Sequence, residues 1–391
     1  MRTPRVLFFV EGFTDVRFVT GLSQICDLTM CVPADQFVES RLKSRIADSG
    51  ARVRIHEIAG SRLDYQRRSL RWLWQHVGEF DAVLSQELLR GSLNATLAGW
   101  LRGVPVITYM AIAPIEYFRC RRERRQIGAL TCWFGEGIIR TLMFVNGRLS
   151  TRCVALGPYL RPIAQRYCPR TELGLYYGVD TSVFRPASAE ERQRLRARRN
   201  LPQDKFIIFF SSRMSHEKDP ETVLRAAALA RSQGLDAIVI NLGGGYERFV
   251  ALANDLDLPE SSRWVLGRPA AHPVSEVADY FRASDVMALA SLAEGLGLSP
   301  LEALACGTPV VATAVGGMAL QLPRVARLTP RREPAAMADE FLWIARHPQE
   351  ARAQALLGRE MVVRDWSREK AFHDLACVID DVCAQRRQAA A

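Results

Sequence analysis

Short apolar runs separated by segments of helical length recur along this chain, and that alternation constrains its fold more than any other feature. In the first half the runs are Val6–Val10, Leu28–Val32, Val53–Ile58, Ala82–Ser85, Val106–Tyr109 and Cys153–Leu156. In the second half they are Phe206–Phe210, Ala237–Leu242, Trp264–Leu266, Val286–Leu289 and Val310–Ala312. They are short, β-branched or aromatic, and the segments between them carry the helical period. Such βαβα order implies parallel sheets with helices on both faces. Eleven strands in 391 residues divide naturally into two doubly wound domains, each with its own core. The seam is expected near 178–203, where turn residues give way to a charged helix. No period of 20–50 residues repeats.

Composition narrows the setting. With 48% apolar and 24% charged residues the chain reads as soluble and globular. The best candidate for a membrane span, Gly128–Val145, is interrupted by Glu136 and Arg140, so none is expected. The N-terminal RVLFFV is too short for the core of a signal peptide. Nine cysteines without a C-x-x-C pair or zinc spacing suit reduced thiols in a cytoplasm. The net charge of +10 is uneven: residues 1–180 hold 25 Lys and Arg against 16 Asp and Glu, whereas the remainder is almost balanced. This asymmetry suggests an anionic partner for the first half, such as a phospholipid surface, a phosphorylated acceptor or nucleic acid.

In open α/β sheets ligands bind where strands end and loops enter helices. After Phe206–Phe210, Arg213 and Lys218 lie on a loop before a helix that Asp219 is expected to cap and Pro220 to begin. A cation just before a helix N-terminus is mildly unfavourable unless an anion lies between them, and an Arg–Lys pair suits a diphosphate. The alternative is two solvated loop cations, with Glu217 and Asp219 offsetting Lys218. After Ala237–Leu242, Gly243–Gly245 read as a tight turn. After Val286–Leu289 comes EGLGLSPLEALACGTPVVAT, with Glu294 and Glu302 eight residues apart. Ser299, Pro300 and Glu302 match a capping box, which gives Glu302 a structural task. No such local task competes for Glu294, and Gly295 and Gly297 let backbone approach a ligand closely. Carboxylates accept from sugar hydroxyls, whereas cations and helix ends take phosphate. A sugar nucleotide meets both requirements.

The Glu294–Glu302 stretch resembles the E-x7-E motif of retaining glycosyltransferases with the GT-B fold, above all family 4 (group 1 glycosyltransferases). Tyr177–Asp180 through Phe184–Pro186 is similar to the interdomain segment of that family, with Tyr177 in place of the usual Asn. Arg213 and Lys218 fall at its donor-diphosphate positions, and Trp264–Gly267 and Tyr280–Asp285 keep its spacing. The resemblance covers about residues 176–317. It implies two Rossmann-like domains facing a central cleft: an acceptor domain at 1–178, a donor domain at 179–365, and a helix over 366–391 returning to the first. It assigns Glu294 to a hydroxyl of the transferred sugar, Glu302 to ribose, and Arg213 and Lys218 to charge on the departing diphosphate. Backbone around Gly297 and Leu298 would hold the donor, with the loop from Arg268 beside the base. Two cations on the leaving group would replace a metal, so no metal or cofactor is expected. The D-x-D at Asp255–Asp257 is read as surface. The outcome is transfer with retention, from a nucleoside-diphosphate sugar to a glycan or lipid-linked acceptor in polysaccharide or glycolipid synthesis.

The first domain departs from the pattern. One glycine, Gly12, stands where the family often has two, and Tyr109 and Met110 stand where an active-site His is expected. Thr14 or Asp15 is expected to cap the next helix, with Arg17 facing phosphate. Two basic, aromatic-bearing stretches, Tyr65–His76 and Arg119–Val145, fit either ordinary amphipathic helices or an anionic membrane surface. On the first reading Leu70, Leu73 and Trp74 share one helical face. The protein is therefore expected in the cytoplasm, with peripheral contact at the inner face of the membrane as an option. Competing readings are a sugar-nucleotide epimerase of the same fold, which the E-x7-E stretch argues against, and a non-catalytic basic binding protein. No nucleic-acid recognition motif is present.

Overall fold

A computed structural model describes residues 3–12, 14–35, 41–215, 217–243, 245–269 and 274–390. The chain forms two compact units. The first comprises Met1–Phe118, Gly128–Gly178 and Glu369–Ala391; the second comprises Arg119–Ile127 and Val179–Arg368. The basic stretch Arg119–Ile127, assigned to the first domain on sequence, thus groups with the second. Its Arg124 pairs with Asp219 and Glu221, and its Glu123 takes Arg331 and Arg332.

In the first unit β1 (Arg5–Phe9), β2 (Asp27–Pro33), β3 (Val53–Ile58), β4 (Ala82–Ser85), β5 (Val106–Met110), β6 (Arg152–Leu156) and β7 (Thr171–Gly174) form one parallel sheet. Its order is β3-β2-β1-β4-β5-β6-β7. The second unit has β8 (Phe206–Phe210), β9 (Ala237–Leu242), β10 (Val265–Arg268), β11 (Val286–Leu289), β12 (Val310–Thr313) and β13 (Arg327–Thr329), in the order β10-β9-β8-β11-β12-β13. All its pairings are parallel. Both units are therefore doubly wound α/β structures, with helices joining successive strands. The inner apolar runs are continuous because those strands are buried on both faces: Val6–Phe9 and Ile207–Phe210 have almost no exposed surface. The sequence reading missed β7 and β13. Both are short edge strands carrying charge, and an edge needs no apolar run.

Each sheet starts at its centre and builds outward in both directions. The order reverses between β1 and β4 in the first unit and between β8 and β11 in the second. Loops leaving the two central strands diverge at such a point and open a crevice.

The last helix, Arg368–Ala390, packs in the first unit. Phe372 lies 6.2 Å from Phe18, ring to ring, over Gly21, where a β-carbon would overlap the Phe372 ring. Arg152 bonds Asp381 at 2.7 Å, and Arg386 donates to the Phe80 carbonyl. Where the chain enters and leaves the second unit, Val179 N–H donates to the Trp366 carbonyl at 2.8 Å and Arg368 N–H to that of Val179 at 2.9 Å.

Two surface expectations change. In the helix Arg62–His76 the buried face is Tyr65, Ser69 and Leu73, while Trp74 is half exposed and Leu70 is partly exposed. Of the three apolar residues named from sequence only Leu73 is buried, so the face they share is not the packed one, and Trp72 packs against the core instead. The helix Ala129–Leu149 does carry a long exposed apolar side with Leu130, Trp133, Phe134 and Ile138. No helix among the described residues is long and apolar enough to cross a membrane. All nine cysteines are free thiols.

Candidate active site

The loops after β8, β11 and β12 interlock around Glu294. Its carboxylate accepts from Lys218 Nζ at 2.5 Å and from Ser291 Oγ at 3.1 Å. Its carbonyl accepts from Gly317 N–H at 3.1 Å, and Leu292 N–H donates to the Glu217 carbonyl at 2.7 Å. Thr313 Oγ1 donates to the Ser291 carbonyl at 2.6 Å. The β8 loop is also held by Asn241 at the end of β9, whose Nδ2 donates to the carbonyls of Phe210 and Ser212. Buried backbone of this kind must find partners, and here neighbouring loops supply them.

The expectation that nothing local competes for Glu294 is corrected, because Lys218 and Ser291 both hold it. The side chains of Lys218 and Glu294 are only 15% and 11% exposed, so the pair sits in a largely desolvated crevice. One of the three ammonium hydrogens faces the carboxylate, and the other two remain for further acceptors. Arg213 is on the same loop but mostly exposed, 3.5 Å from Glu217. Glu217 is buried, which would raise its carboxyl. The Ser215 hydroxyl at 2.7 Å, with Lys218 and Arg213 nearby, outweighs burial and holds it below the ordinary range.

Asp219 precedes the helix Pro220–Ser232 as expected, with Pro220 as first residue, but its carboxylate makes no backbone cap. It instead takes Thr222 Oγ1 at 2.7 Å and the guanidinium of Arg124. Arg124 thereby offsets the acid beside Lys218 and leaves the ammonium to Glu294.

The capping box at Ser299 is also corrected. The helix begins two residues earlier, as Leu298–Ala305, with Gly297 in place of Ser299 at the cap in a left-handed conformation, φ +75°. Ser299 Oγ donates instead to the Ser211 carbonyl at 3.3 Å, tying the helix to the β8 loop. Glu302 is buried on this helix, so the eight-residue spacing comprises a loop and a helical turn. The first turn, at Gly297 and Leu298, presents backbone N–H groups that an α-helix leaves without internal partners. Close approach dictates the loop composition: a β-carbon on Gly317 would lie 2.1 Å from the Gly295 carbonyl oxygen.

Arg268 ends β10, and its guanidinium donates to the adjacent Gly267 carbonyl at 3.2 Å; residues 270–273 of the loop assigned to the base lie outside the described residues. In the glycine turn Gly243 and Gly245 adopt positive φ, and Gly244 is likewise outside them. Asp255 and Asp257 are exposed at the end of the helix Tyr246–Asp255.

In the first unit Asp15 caps the helix Val16–Ile25, accepting from Arg17 N–H at 2.9 Å. Arg17 does not face open solvent for a phosphate: it bonds Asp15 and the Tyr177 hydroxyl and lies 4.2 Å over the Tyr177 ring. Burial would raise the Asp15 carboxyl, but Arg17 holds it below the ordinary range. Tyr177, which stands where the resembling family has Asn, is thus the partner of this cation. Gly12, Tyr109 and Met110 all line one cavity at the β1–β4 reversal. Tyr109 is 2% exposed, and burial pushes its phenol well above the ordinary value.

Residues 191–355 match the family model described as glycosyl transferases group 1. That stretch contains Arg213, Lys218, Arg268, Glu294, Gly295, Gly297, Leu298 and Glu302, and it is under half of the chain. The D-inositol 3-phosphate glycosyltransferase 1 of Catenulispora acidiphila is 40% identical over 152 residues, covering 36% of this chain and 35% of that protein. The D-inositol 3-phosphate glycosyltransferase of Mycobacterium tuberculosis (strain H37Ra) is 41% identical over 146 residues, 36% of this chain and 28% of that protein. The matches therefore span only about a third of these relatives' length. Among solved structures, Anabaena Alr3699/HepE in complex with UDP and glucose aligns over 97% of this chain and 100% of its own, with TM-score 0.78 and 16% identity. WaaG, a glycosyltransferase involved in lipopolysaccharide biosynthesis, aligns over 96% of this chain and 99% of its own, with TM-score 0.69 and 14% identity. The chain thus has the two-domain fold of GT-B glycosyltransferases.

Sequence reasoning missed Ser291, Asn241, Gly317 and Arg124. Only Gly317, in the Gly316–Gly317 pair after a strand, left a readable signal.

Proposed function

We propose that the protein is a retaining, metal-independent glycosyltransferase that moves a sugar from a nucleoside-diphosphate donor to a hydroxyl of a glycan or lipid-linked acceptor. The observation that carries this reading is the Lys218–Glu294 pair, 2.5 Å apart at the strand-order reversal of the second sheet. Lys218 keeps two N–H groups for the diphosphate while Glu294 stays oriented to accept from a sugar hydroxyl. Charge building on the leaving diphosphate meets the ammonium, with Arg213 swinging in from the surface to join it. The N–H groups of Gly297 and Leu298 add dipoles aimed at the same anion. Glu302 takes the ribose hydroxyls and the Arg268 loop lies beside the base. The UDP-bound structural neighbour supports a uridine donor as the first to test. The exposed apolar side of the helix Ala129–Leu149, with Arg140 on it, suits peripheral contact with a membrane that carries a lipid-linked acceptor.

The test is a screen of UDP-, GDP- and ADP-sugars for thermal stabilisation, followed by transfer assays on lipid-linked and soluble acceptors with the product anomer read by NMR. A stabilising sugar nucleotide whose effect disappears in Lys218→Ala supports the reading. Full transfer in both Lys218→Ala and Glu294→Ala overturns it.

A further inference from the structure

The cavity at the β1–β4 reversal of the first unit, about 220 Å³, has an unusual lining. Glu11 follows β1 and is only 7% exposed. Its Oε1 accepts from Arg62 at 3.2 Å and from Arg90 at 2.5 Å. Glu87 follows β4, and the two carboxyl groups converge on Gly91. A β-carbon there would lie 2.6 Å from Glu87 Oε1 and 2.9 Å from Glu11 Oε2. Burial, followed by the charge of Glu11, raises the Glu87 carboxyl above its ordinary range. Gln86 lines the same space. Its amide N–H donates to Tyr176 at 3.1 Å, while its Oε1 is buried without a hydrogen-bond partner among the described residues. The serine hydroxyls are already engaged: Ser85 donates to Ser92 at 2.7 Å, and Ser92 to the Glu87 carbonyl. Phe9, Leu88, Tyr109 and Met110 supply apolar wall.

We propose that this cavity binds one uncharged, polyhydroxylated ring of the acceptor, a sugar or cyclitol unit, with Glu11, Glu87 and Gln86 Oε1 accepting from its hydroxyls. The assignment rests on the glycosyltransferase reading. The acceptor oxygens of Glu11 and Gln86 offer a phosphate or carboxylate no hydrogen-bond donor, and Arg62 and Arg90 are already engaged by Glu11. A cationic ligand is disfavoured because two guanidinium groups already hold Glu11. A metal is not suggested either, since no group of three or more ligating side chains occurs among the described residues. The volume falls below the roughly 300–1,000 Å³ of sites for drug-sized ligands, which limits the occupant to a single ring. The C–H faces of such a ring pack on Phe9 and Met110 while its hydroxyls donate to the acid side.

The experiment uses the full chain, with D-glucose and myo-inositol as probes, cyclohexanol as the poorly hydroxylated control and glucose 6-phosphate as the anionic one. Binding is followed by ligand-observed NMR. Saturable binding of a polyol, at least tenfold tighter than cyclohexanol and glucose 6-phosphate, is expected. Glu87→Gln should retain it within about threefold, because the amide keeps an acceptor. Glu87→Leu should weaken it at least tenfold. Gly91→Ala, whose methyl enters between the two carboxyl groups, gives an independent reading if Glu87→Leu melts early. No saturation by either polyol, tighter binding of the phosphate, or wild-type binding in Glu87→Leu and Gly91→Ala would overturn the assignment. Thermal stabilisation by UDP in the same samples separates the two ideas. Polyol binding lost with the nucleotide response intact defeats the cavity alone; the converse defeats the donor site alone.

Discussion

The two sheets reverse their strand order in the same way, yet one glutamate at each reversal is shifted in the opposite direction from the other. At β8–β11, Glu294 is held by Lys218, and Glu217 is drawn below the ordinary range by a hydroxyl and two cations. At β1–β4, Glu11 is paired with arginines, but Glu87 is pushed toward its neutral acid form by burial and by Glu11. Topology therefore fixes where a crevice opens, while the partners brought by each loop decide what it can bind. The second crevice combines cation and carboxylate, the combination the proposed sugar-nucleotide donor would need. The first presents hydrogen-bond acceptors with their charge offset or suppressed.

The largest expected effect lies in the second crevice. Lys218→Ala or Glu294→Ala should reduce kcat/KM for transfer by about 10²–10³, the usual loss for one preorganised electrostatic group. Either single change strands a mostly buried charge and should cost about 1.5–3 kcal/mol of stability. The double variant should cost less than the sum, and chemical denaturation of all four proteins measures that coupling. Additive losses would mean that the 2.5 Å pair contributes nothing as a pair.

Next comes backbone approach. Gly317→Ala places a methyl against the Gly295 carbonyl and should cost about 1–3 kcal/mol by overpacking. It should weaken nucleotide binding as well, since the displaced loop carries Glu294. A calorimetric titration with UDP and a denaturation curve together check this.

The contrast in acid states has its own pH signature. Glu217, lowered in the folded protein, contributes stability that is full above the ordinary glutamate pKa of about 4.3 and lost as pH falls through its lowered value. Glu217→Gln should therefore lower Tm at pH 7, and the difference should shrink in acid. Glu87, raised in the folded protein, favours folding below about pH 4.3 and loses that contribution as pH rises through its folded value. Glu87→Gln should raise Tm near pH 8 or leave it equal, with the difference vanishing toward pH 4. Parallel pH profiles for the two variants would erase the distinction between the crevices. The smallest effect is expected at Gly12, where a β-carbon would meet nothing within 4 Å; Gly12→Ala should shift stability by less than about 0.5 kcal/mol.

Legibility followed the range of the interaction. The runs that became the inner strands among β1–β6 and β8–β12 were readable because strands buried on both faces must be apolar throughout, whereas the edge strands β3 and β10 showed only as short runs with β-branched residues. Lys218 and Glu294 were readable as candidates because each stands just beyond a strand, where chemistry belongs in such a sheet. Their pairing was not, since 76 residues separate them and only the adjacency of β8 and β11 brings them together. The capping box failed for a related reason. Ser299 had a suitable local sequence, but the carbonyl of Ser211 took its hydroxyl and the helix began two residues early, after Gly297. Arg17 looked available for phosphate until Tyr177, 160 residues away, took it. Glu11 and Glu87 gave no signal, because an isolated glutamate after a strand resembles any surface acid.

By itself the sequence determined two doubly wound domains, the places along the chain where ligands belong, and the types of group available there. Those follow from burial periodicity and turn chemistry, which act over a few residues. Only the tertiary structure decided which cation meets which carboxylate, which hydroxyls remain available and which acid is pushed toward its protonated form. Those outcomes depend on desolvation and on distances of a few ångströms between segments far apart in the chain, and no local pattern encodes either.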